Sequence, residues 1–243
     1  MTNLHLSVVI PAYNEEPRLP RTLRHVLGYL SAQPYRSEVL VVDDGSRDGT
    51  AAIVRGWPQG CVPVRLIWHP DRANHGKGAA VRRGVMEAAG DFRLFMDADN
   101  STTVDQVERF WPFFEQGFDL LIGSRKCAGA CVAVHQPWYK ETAGRFGNLM
   151  IRLLAVPAIS DTQAGFKIFT RRSVKVIFPR LTVERWGHDV EILVIARKHG
   201  LKFREVPINW VDSPGSKVSL KSYLQVFVEV LRIRRNRRRG LYK

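Results

Sequence analysis

Three cysteines in 243 residues, no long apolar run and a shortage of acid set the first limits on this sequence. Cys61, Cys127 and Cys131 are odd in number, and the CxxxC pair has no second pair of Cys or His beside it, so neither a disulfide framework nor a zinc site is indicated. No window reaches the run of about eighteen apolar residues that a spanning helix needs. Met1-Thr2-Asn3 leads directly into a strand-like segment, without the basic and apolar regions of a secretory leader. A cytosolic chain is therefore expected. Internal repeats and low-complexity linkers are missing too.

Acid is short because 23 Asp and Glu face 37 Lys and Arg, a net charge of +14. Seven of the bases, Arg232, Arg234, Arg235, Arg237, Arg238, Arg239 and Lys243, crowd the last twelve positions, where there is no acid, so half the excess is a tail. Such a tail would bind phosphate backbones without sequence preference. Against nucleic-acid binding as the main function stand the acidic pairs of the body and the lack of an aromatic-interleaved RNA motif. No specific nucleic-acid partner is expected.

What is present is apolar material for one core, 45% of the chain, arranged in short runs. Leu6 to Ile10, Val39 to Val42, Val64 to Trp68, Phe92 to Met96 and Leu120 to Ile122 read as strands. Each of the first four is followed by turn residues and a helix-compatible stretch, which predicts βαβ units and a mostly parallel sheet. Helices are expected at Pro17 to Leu30, Arg47 to Arg55, Gly78 to Ala88, Val104 to Phe114, Tyr139 to Leu154, His188 to His199 and Leu220 to about Asn236. The aperiodic stretch from Lys126 to Pro137 reads as a long loop. Ligands of open α/β sheets bind beyond the carboxyl ends of the strands, so the residues just after each run matter most.

After the first run comes Pro11-Ala12-Tyr13-Asn14-Glu15-Glu16, and after the second Asp43-Asp44-Gly45-Ser46. Two acids ending a buried strand need solvent, a cation or a hydrogen-bonding ligand; a plain Asp-Gly turn is the competing reading. Asn74-His75-Gly76-Lys77-Gly78-Ala79 opens a helix with two glycines and a lysine, which would let backbone amides and an ammonium approach an anion; a plain helix start is the alternative reading. It is no P-loop, since Asp71 stands where that motif needs its first Gly, and no dinucleotide fingerprint, since Val81 replaces the third. The strongest local signal is Phe95-Met96-Asp97-Ala98-Asp99-Asn100-Ser101. Two hard oxygen donors at the end of a buried strand form the half-site that Mg2+ or Mn2+ needs when phosphates and water supply the other ligands; a solvated turn is the alternative.

In this order, the PAYNE, VVDDGSRDGT, GKGAA and DADNS segments resemble family-two glycosyltransferases of the GT-A fold. The resemblance continues through Gly123-Ser124-Arg125, Asp161 to Lys167, Trp186 to Glu191 and Pro214 to Lys217, nearly the whole chain. It implies an α/β fold with a Rossmann-like, mostly parallel central sheet flanked by helices: a catalytic domain over residues 1–218 and an amphipathic, Arg-rich C-terminal helix and tail over 219–243. Within the family the later motifs look most like polyprenyl-phosphate hexosyltransferases, above all the dolichyl-phosphate β-glucosyltransferases. Ser101 stands where the mannosyl branch commonly has Gln, which favours UDP-glucose over GDP-mannose as donor.

By the same resemblance Pro11, Ala12, Tyr13 and Glu15, with Asp43 or Asp44, would hold the nucleobase and ribose. Gly76, Lys77 and Ala98 would lie near the nucleotide sugar, and Asp97 and Asp99 would bind a divalent cation on its diphosphate. Arg125, Gln163, Ser216 and Lys217 would meet the acceptor or a phosphate, with a structural salt bridge as the other reading for Arg125 and Lys217. Asp189 and Glu191 would lie around the sugar and acceptor pocket. The implied reaction is inverting, metal-dependent transfer of a hexose to a polyprenyl or dolichyl phosphate, which needs no general base. A soluble sugar or polysaccharide acceptor is the alternative, and there Asp189 or Glu191 would be the essential base.

A lipid acceptor requires membrane contact. Leu220, Tyr223, Leu224, Phe227 and Leu231 recur at helical spacing ahead of the arginines, so a peripheral association with the cytoplasmic face of a membrane is expected. A helix docked on the core explains the stripe as well.

Overall fold

The five apolar runs become strands where the pattern puts them. The computed structural model describes residues 4–134, 156, 159–212 and 220–243. The runs form β1 (Leu6–Ala12), β2 (Ser37–Asp43), β3 (Val64–Trp68), β4 (Phe92–Met96) and β5 (Leu120–Ser124). Four further strands, unforeseen from pattern, are β6 (Cys131–Val134), β7 (Phe166–Thr170), β8 (Phe203–Pro207) and β9 (Asn209–Val211). Seven strands make one sheet in the order β3-β2-β1-β4-β7-β5-β8, parallel except for β7, which runs against both neighbours; β6 and β9 pair separately.

Strand side chains alternate between the faces of the sheet, and each face is covered. Val8, Ile10, Val39, Val41, Leu94 and Met96 pack with α1 (Leu19–Ser31) and α2 (Thr50–Arg55). Val9, Leu40, Val42 and Phe95 face α3 (Lys77–Glu87) and α6 (His188–Lys198). The helix expected over Val104 to Phe114 is two pieces, a 3-10 turn at Val104–Arg109 and the short α4 (Trp111–Glu115). Pro112 has no N–H to continue the first ladder and instead starts the second helix. An unexpected short helix, α5 (Arg171–Ile177), follows β7 and is capped by Thr170, whose hydroxyl accepts the Ser173 N–H.

The last helix, α7 (Leu220–Arg238), runs through most of the basic end. Val226, Val230 and Ile233 of α7, with Tyr242 beyond it, are buried in the same cluster as Val9 and Phe95. The expected helix from Tyr139 to Leu154, part of the 126–137 loop and the 218/219 boundary lie outside the described residues.

β7 sets up the functional edge. Its antiparallel register pairs Met96 with Phe166, so the loop that enters β7 stands beside the residues that leave β4. Asp97 N–H donates to Gly165 O at 3.1 Å, which continues the ladder one step past the strands.

Candidate active site

Asp97 and Asp99 leave β4 half-buried, joined by Lys77 from the first turn of α3. Lys77 Nζ lies 2.6 Å from Asp97 Oδ1, and 5.3 and 5.8 Å from the rings of Phe95 and Trp186. Burial opposes the Lys77 charge, but the carboxylates of Asp97, Asp189 and Asp99 outweigh it and hold its ammonium above the ordinary lysine range. For Asp99, burial and the adjacent Asp97 charge push the carboxyl up, although Ser101 N–H donates to its Oδ1 at 2.9 Å. Gly165 closes the other side of Asp97. A Cβ built there would collide with Asp97 Oδ2, so glycine alone leaves that oxygen room.

These are hard oxygen donors crowded at one edge, with mutual repulsion that a cation would relieve. Among the described residues no three His, Cys, Asp or Glu gather into a fuller metal site. Asp97 and Asp99 therefore fit a divalent ion that takes its remaining ligands from phosphate and water.

The ends of β1 and β2 divide their work. Glu15 receives a two-pronged ion pair from Arg18, 2.7 Å at each contact, while its own N–H donates to Thr50 Oγ1 at 2.8 Å. Tyr13 is exposed, and Pro11 and Ala12 are buried in β1. Asp43 and Asp44 have different surroundings. Asp44 is consumed by the following loop, accepting His75 N–H at 2.9 Å, Gly76 N–H at 2.8 Å and Asn74 Nδ2 at 2.9 Å. Asp43 accepts Ser46 N–H at 3.1 Å, a contact within its own turn.

The start of α3 is not the open anion cradle that its glycines suggest. Gly76 N–H is spent on Asp44, and Ala79 N–H donates to Glu184 O at 2.8 Å. The glycines instead let the segment before α6 pack closely. A Cβ on Gly78 would meet His188 Cβ at 2.6 Å, and one on Gly76, whose φ is +108°, would meet Glu184 O at 2.8 Å.

On the other side of Asp97, Arg125 follows β5 and is paired. Its Nε and Nη2 each reach the buried Asp161 at 2.8 Å, and its N–H donates to the same carboxylate at 3.0 Å. This is the salt bridge that the sequence left as the alternative reading. Arg125 holds the Asp161 carboxyl down at about 2 against the opposing effect of burial. Gln163 donates to Trp186 O at 3.4 Å. Ser216 and Lys217 lie outside the described residues.

Asp189 is buried, and Lys167 Nζ approaches its Oδ1 at 2.5 Å while also donating to Ala164 O at 2.6 Å. Burial opposes the Asp189 charge; His188, Lys167 and Lys77 outweigh it and hold the carboxyl below its usual range. It is an anchored carboxylate. Glu191, expected near it around the pocket, points elsewhere, because two helical residues rotate a side chain by about 200°. It accepts from Thr182 N–H at 2.9 Å, Thr182 Oγ1 at 2.6 Å, Val183 N–H at 2.8 Å and Tyr242 OH at 2.6 Å, and is part of the support beneath the site.

Lys167, Asp161 and Gly165 are the residues that motif reading quoted but gave no part. A lysine inside a strand, an acid before it and a glycine between them were the available signals; what they touch depends on β7 lying between β4 and β5.

Comparison with known proteins agrees with this arrangement. Residues 7–178 match the model of Glycosyl transferase family 2. A dolichyl-phosphate beta-glucosyltransferase of Dictyostelium discoideum is 35% identical over 254 residues, covering 99% of this chain and 77% of its own. One of Homo sapiens is 38% identical over 247 residues, covering 94% of this chain and 74% of its own. Among solved structures, glucosyl-3-phosphoglycerate synthase from Mycobacterium tuberculosis, in complex with Mn2+, UDP-glucose and phosphoglyceric acid, superposes with a TM-score of 0.66 at 19% identity, over 95% of this chain and 79% of that one. Mannosyl-3-phosphoglycerate synthase from Rubrobacter xylanophilus gives a TM-score of 0.69 at 19% identity, over 98% and 75%. At such identities the structures speak for the GT-A fold, and the sequence matches for the lineage: the chain is a glycosyltransferase and belongs to glycosyl transferase family 2.

Proposed function

We propose that this enzyme transfers glucose from UDP-glucose, with inversion, to the phosphate of dolichol or another polyprenol at a membrane surface. The observation that carries the reading is the 35–38% identity to dolichyl-phosphate beta-glucosyltransferases over at least 94% of the chain. In the site, Asp97 and Asp99 would hold Mg2+ or Mn2+, which when bound neutralises the charge growing on the leaving diphosphate. Lys77 adds a fixed cation to the same edge, and the strand ends carrying Tyr13, Glu15 and Asp43 form the nucleoside side. Asp44 holds the loop that brings Lys77 there.

A phosphate monoester is largely dianionic at neutral pH and attacks without a general base. The pairing of Asp189 with Lys167 suits that acceptor, because a carboxylate already neutralised by a buried ammonium is a poor proton acceptor. Arg125, tied to Asp161, offers the acceptor side a positioned guanidinium edge.

Membrane contact is assigned to α7. Leu224, Phe227, Val228 and Leu231 are exposed, while Val226, Val230 and Ile233 are buried. The helix thus docks by one face and leaves a second apolar stripe outward, which Arg234, Arg235 and Arg238 continue at its basic end. The side chains of Leu220 and Tyr223 lie outside the described set. No described helix is long and apolar enough to cross a membrane. The cytoplasmic leaflet, where anionic lipids concentrate, is the surface that suits those arginines.

The test is transfer from labelled UDP-glucose and from GDP-mannose to a short polyprenyl phosphate, with Mn2+ or Mg2+ and with chelator. Metal-dependent glycolipid from UDP-glucose is expected. Product from GDP-mannose alone would move the donor assignment, and no glycolipid from either, with nucleotide-sugar binding intact, would make a soluble acceptor the better reading. Asp99→Ala is expected to abolish transfer with an unchanged circular-dichroism spectrum; wild-type rates in that variant would remove the metal assignment.

A further inference from the structure

The C-terminal segment grips the stretch that carries Trp186 and Asp189 at three points. Glu229 Oε2, on α7, accepts Gly187 N–H at 2.6 Å. Asn236 Nδ2 donates to Thr182 Oγ1 at 3.1 Å, and Tyr242 OH to Glu191 Oε1 at 2.6 Å. At the first contact the backbone and the helix are also packed closely, since a Cβ on Gly187 would stand 2.9 Å from Glu229 Cβ. Gln225 Nε2 donates to the second Glu229 oxygen at 3.1 Å and holds the carboxylate in place.

The opposite side of the same stretch borders the reacting groups. Glu184 O accepts from Ala79 at the start of α3, Trp186 O accepts from Gln163, and the Trp186 ring stands by Lys77. Gly187 is the residue before α6, whose second residue, Asp189, pairs with Lys167. A shift of Gly187 therefore moves Trp186 and Asp189 together. Displacements of about an ångström at such groups cost on the order of a hundredfold in rate.

We propose, resting on the transfer reaction proposed above, that Glu229 is a positioning residue: through the Gly187 amide it fixes residues 184–189 against Lys77 and Lys167. The helix assigned to the membrane surface thereby also sets the geometry between donor and acceptor. Glu229 touches neither substrate and acts entirely through the backbone it holds.

The test uses the full chain with Glu229→Leu, which leaves the Gly187 N–H without its acceptor, and Glu229→Gln, whose amide oxygen still accepts it. Amide hydrogen exchange over residues 184–189 and separate kcat and KM values are measured. In Glu229→Leu, faster exchange confined to 184–189 is expected, with kcat down by about tenfold or more and the KM for UDP-glucose nearly unchanged. Glu229→Gln restores protection and most of kcat. Ile233→Val, which loosens the packing of α7 without touching the segment, keeps kcat. Should Glu229→Leu not fold, Gly187→Ala, which forces helix and segment apart, is expected to give the same kcat loss. Wild-type kcat and exchange in Glu229→Leu, or an equal loss in Glu229→Gln, would overturn the role. If the wild-type enzyme made no glycolipid the transfer reading would fail, and exchange over 184–189 would still decide whether Glu229 holds the segment.

Discussion

Gly165 shows how much a site can depend on an atom that is missing. Its carbonyl pairs with Asp97 N–H, and the space where its side chain would be is taken by the Asp97 carboxylate. Gly165→Ala must rotate that carboxylate or separate the two loops. Transfer is expected to fall by about a hundredfold or more, with a melting temperature close to wild type; steady-state kinetics beside a thermal melt checks both. Asp97 and Asp99 were legible in sequence because a buried strand ending in two acids is a local pattern. The need for Gly165 was not, since it lies 68 positions away and becomes a neighbour only through the antiparallel register of β7. Asp44 was half legible: its place at a strand end could be read, its commitment to the loop at Asn74–Gly76 could not.

At the scale of elements, Asp161 ties β5 to β8. Its carboxylate takes the guanidinium and N–H of Arg125 after β5, and its own N–H, with that of Ser160, donates to Glu205 of β8 at 2.8 Å each. The folded carboxyl titrates at about 2 against an ordinary 3.8, so the folded state binds its proton more weakly than the unfolded chain does. Stability from this pair is therefore complete above about pH 4 and is lost as pH falls through 3.8 towards 2. Asp161→Asn is expected to cost about 2 kcal/mol at pH 7 and almost nothing near pH 2, measured by denaturant unfolding across that range. The parallel strands could be read from apolar runs and turn residues. β7 and β8 escaped because Lys167 breaks one run and Arg204 and Glu205 the other, and the reasons those charges are tolerated lie on other elements. The break in the helix at Phe110 was legible in principle from Pro112.

For the whole molecule, α7 has two apolar faces and the core uses one. The outward face, Leu224, Phe227, Val228 and Leu231, with arginines beyond it, would lie along an interface with its cations at anionic headgroups. Leu224→Ser combined with Phe227→Ser is expected to weaken binding to anionic vesicles by about tenfold or more, and raised salt to weaken the wild type, as read by vesicle sedimentation. The expected stripe named three of these four residues, and Val228 completes it at the spacing of one helical turn. The insertion of β7 has a consequence for how the protein is made. Strands β1 to β4 are complete by residue 96 and pair only with one another on one side, whereas the free edge of β4 waits for residues 166–170. On a ribosome the half built from β1 to β4 can assemble while that edge is still unpaired, open to strand addition from another nascent chain. The late arrival of a single reversed strand thus keeps the midline of the sheet, where the two carboxylates sit, open until residue 170 has been made.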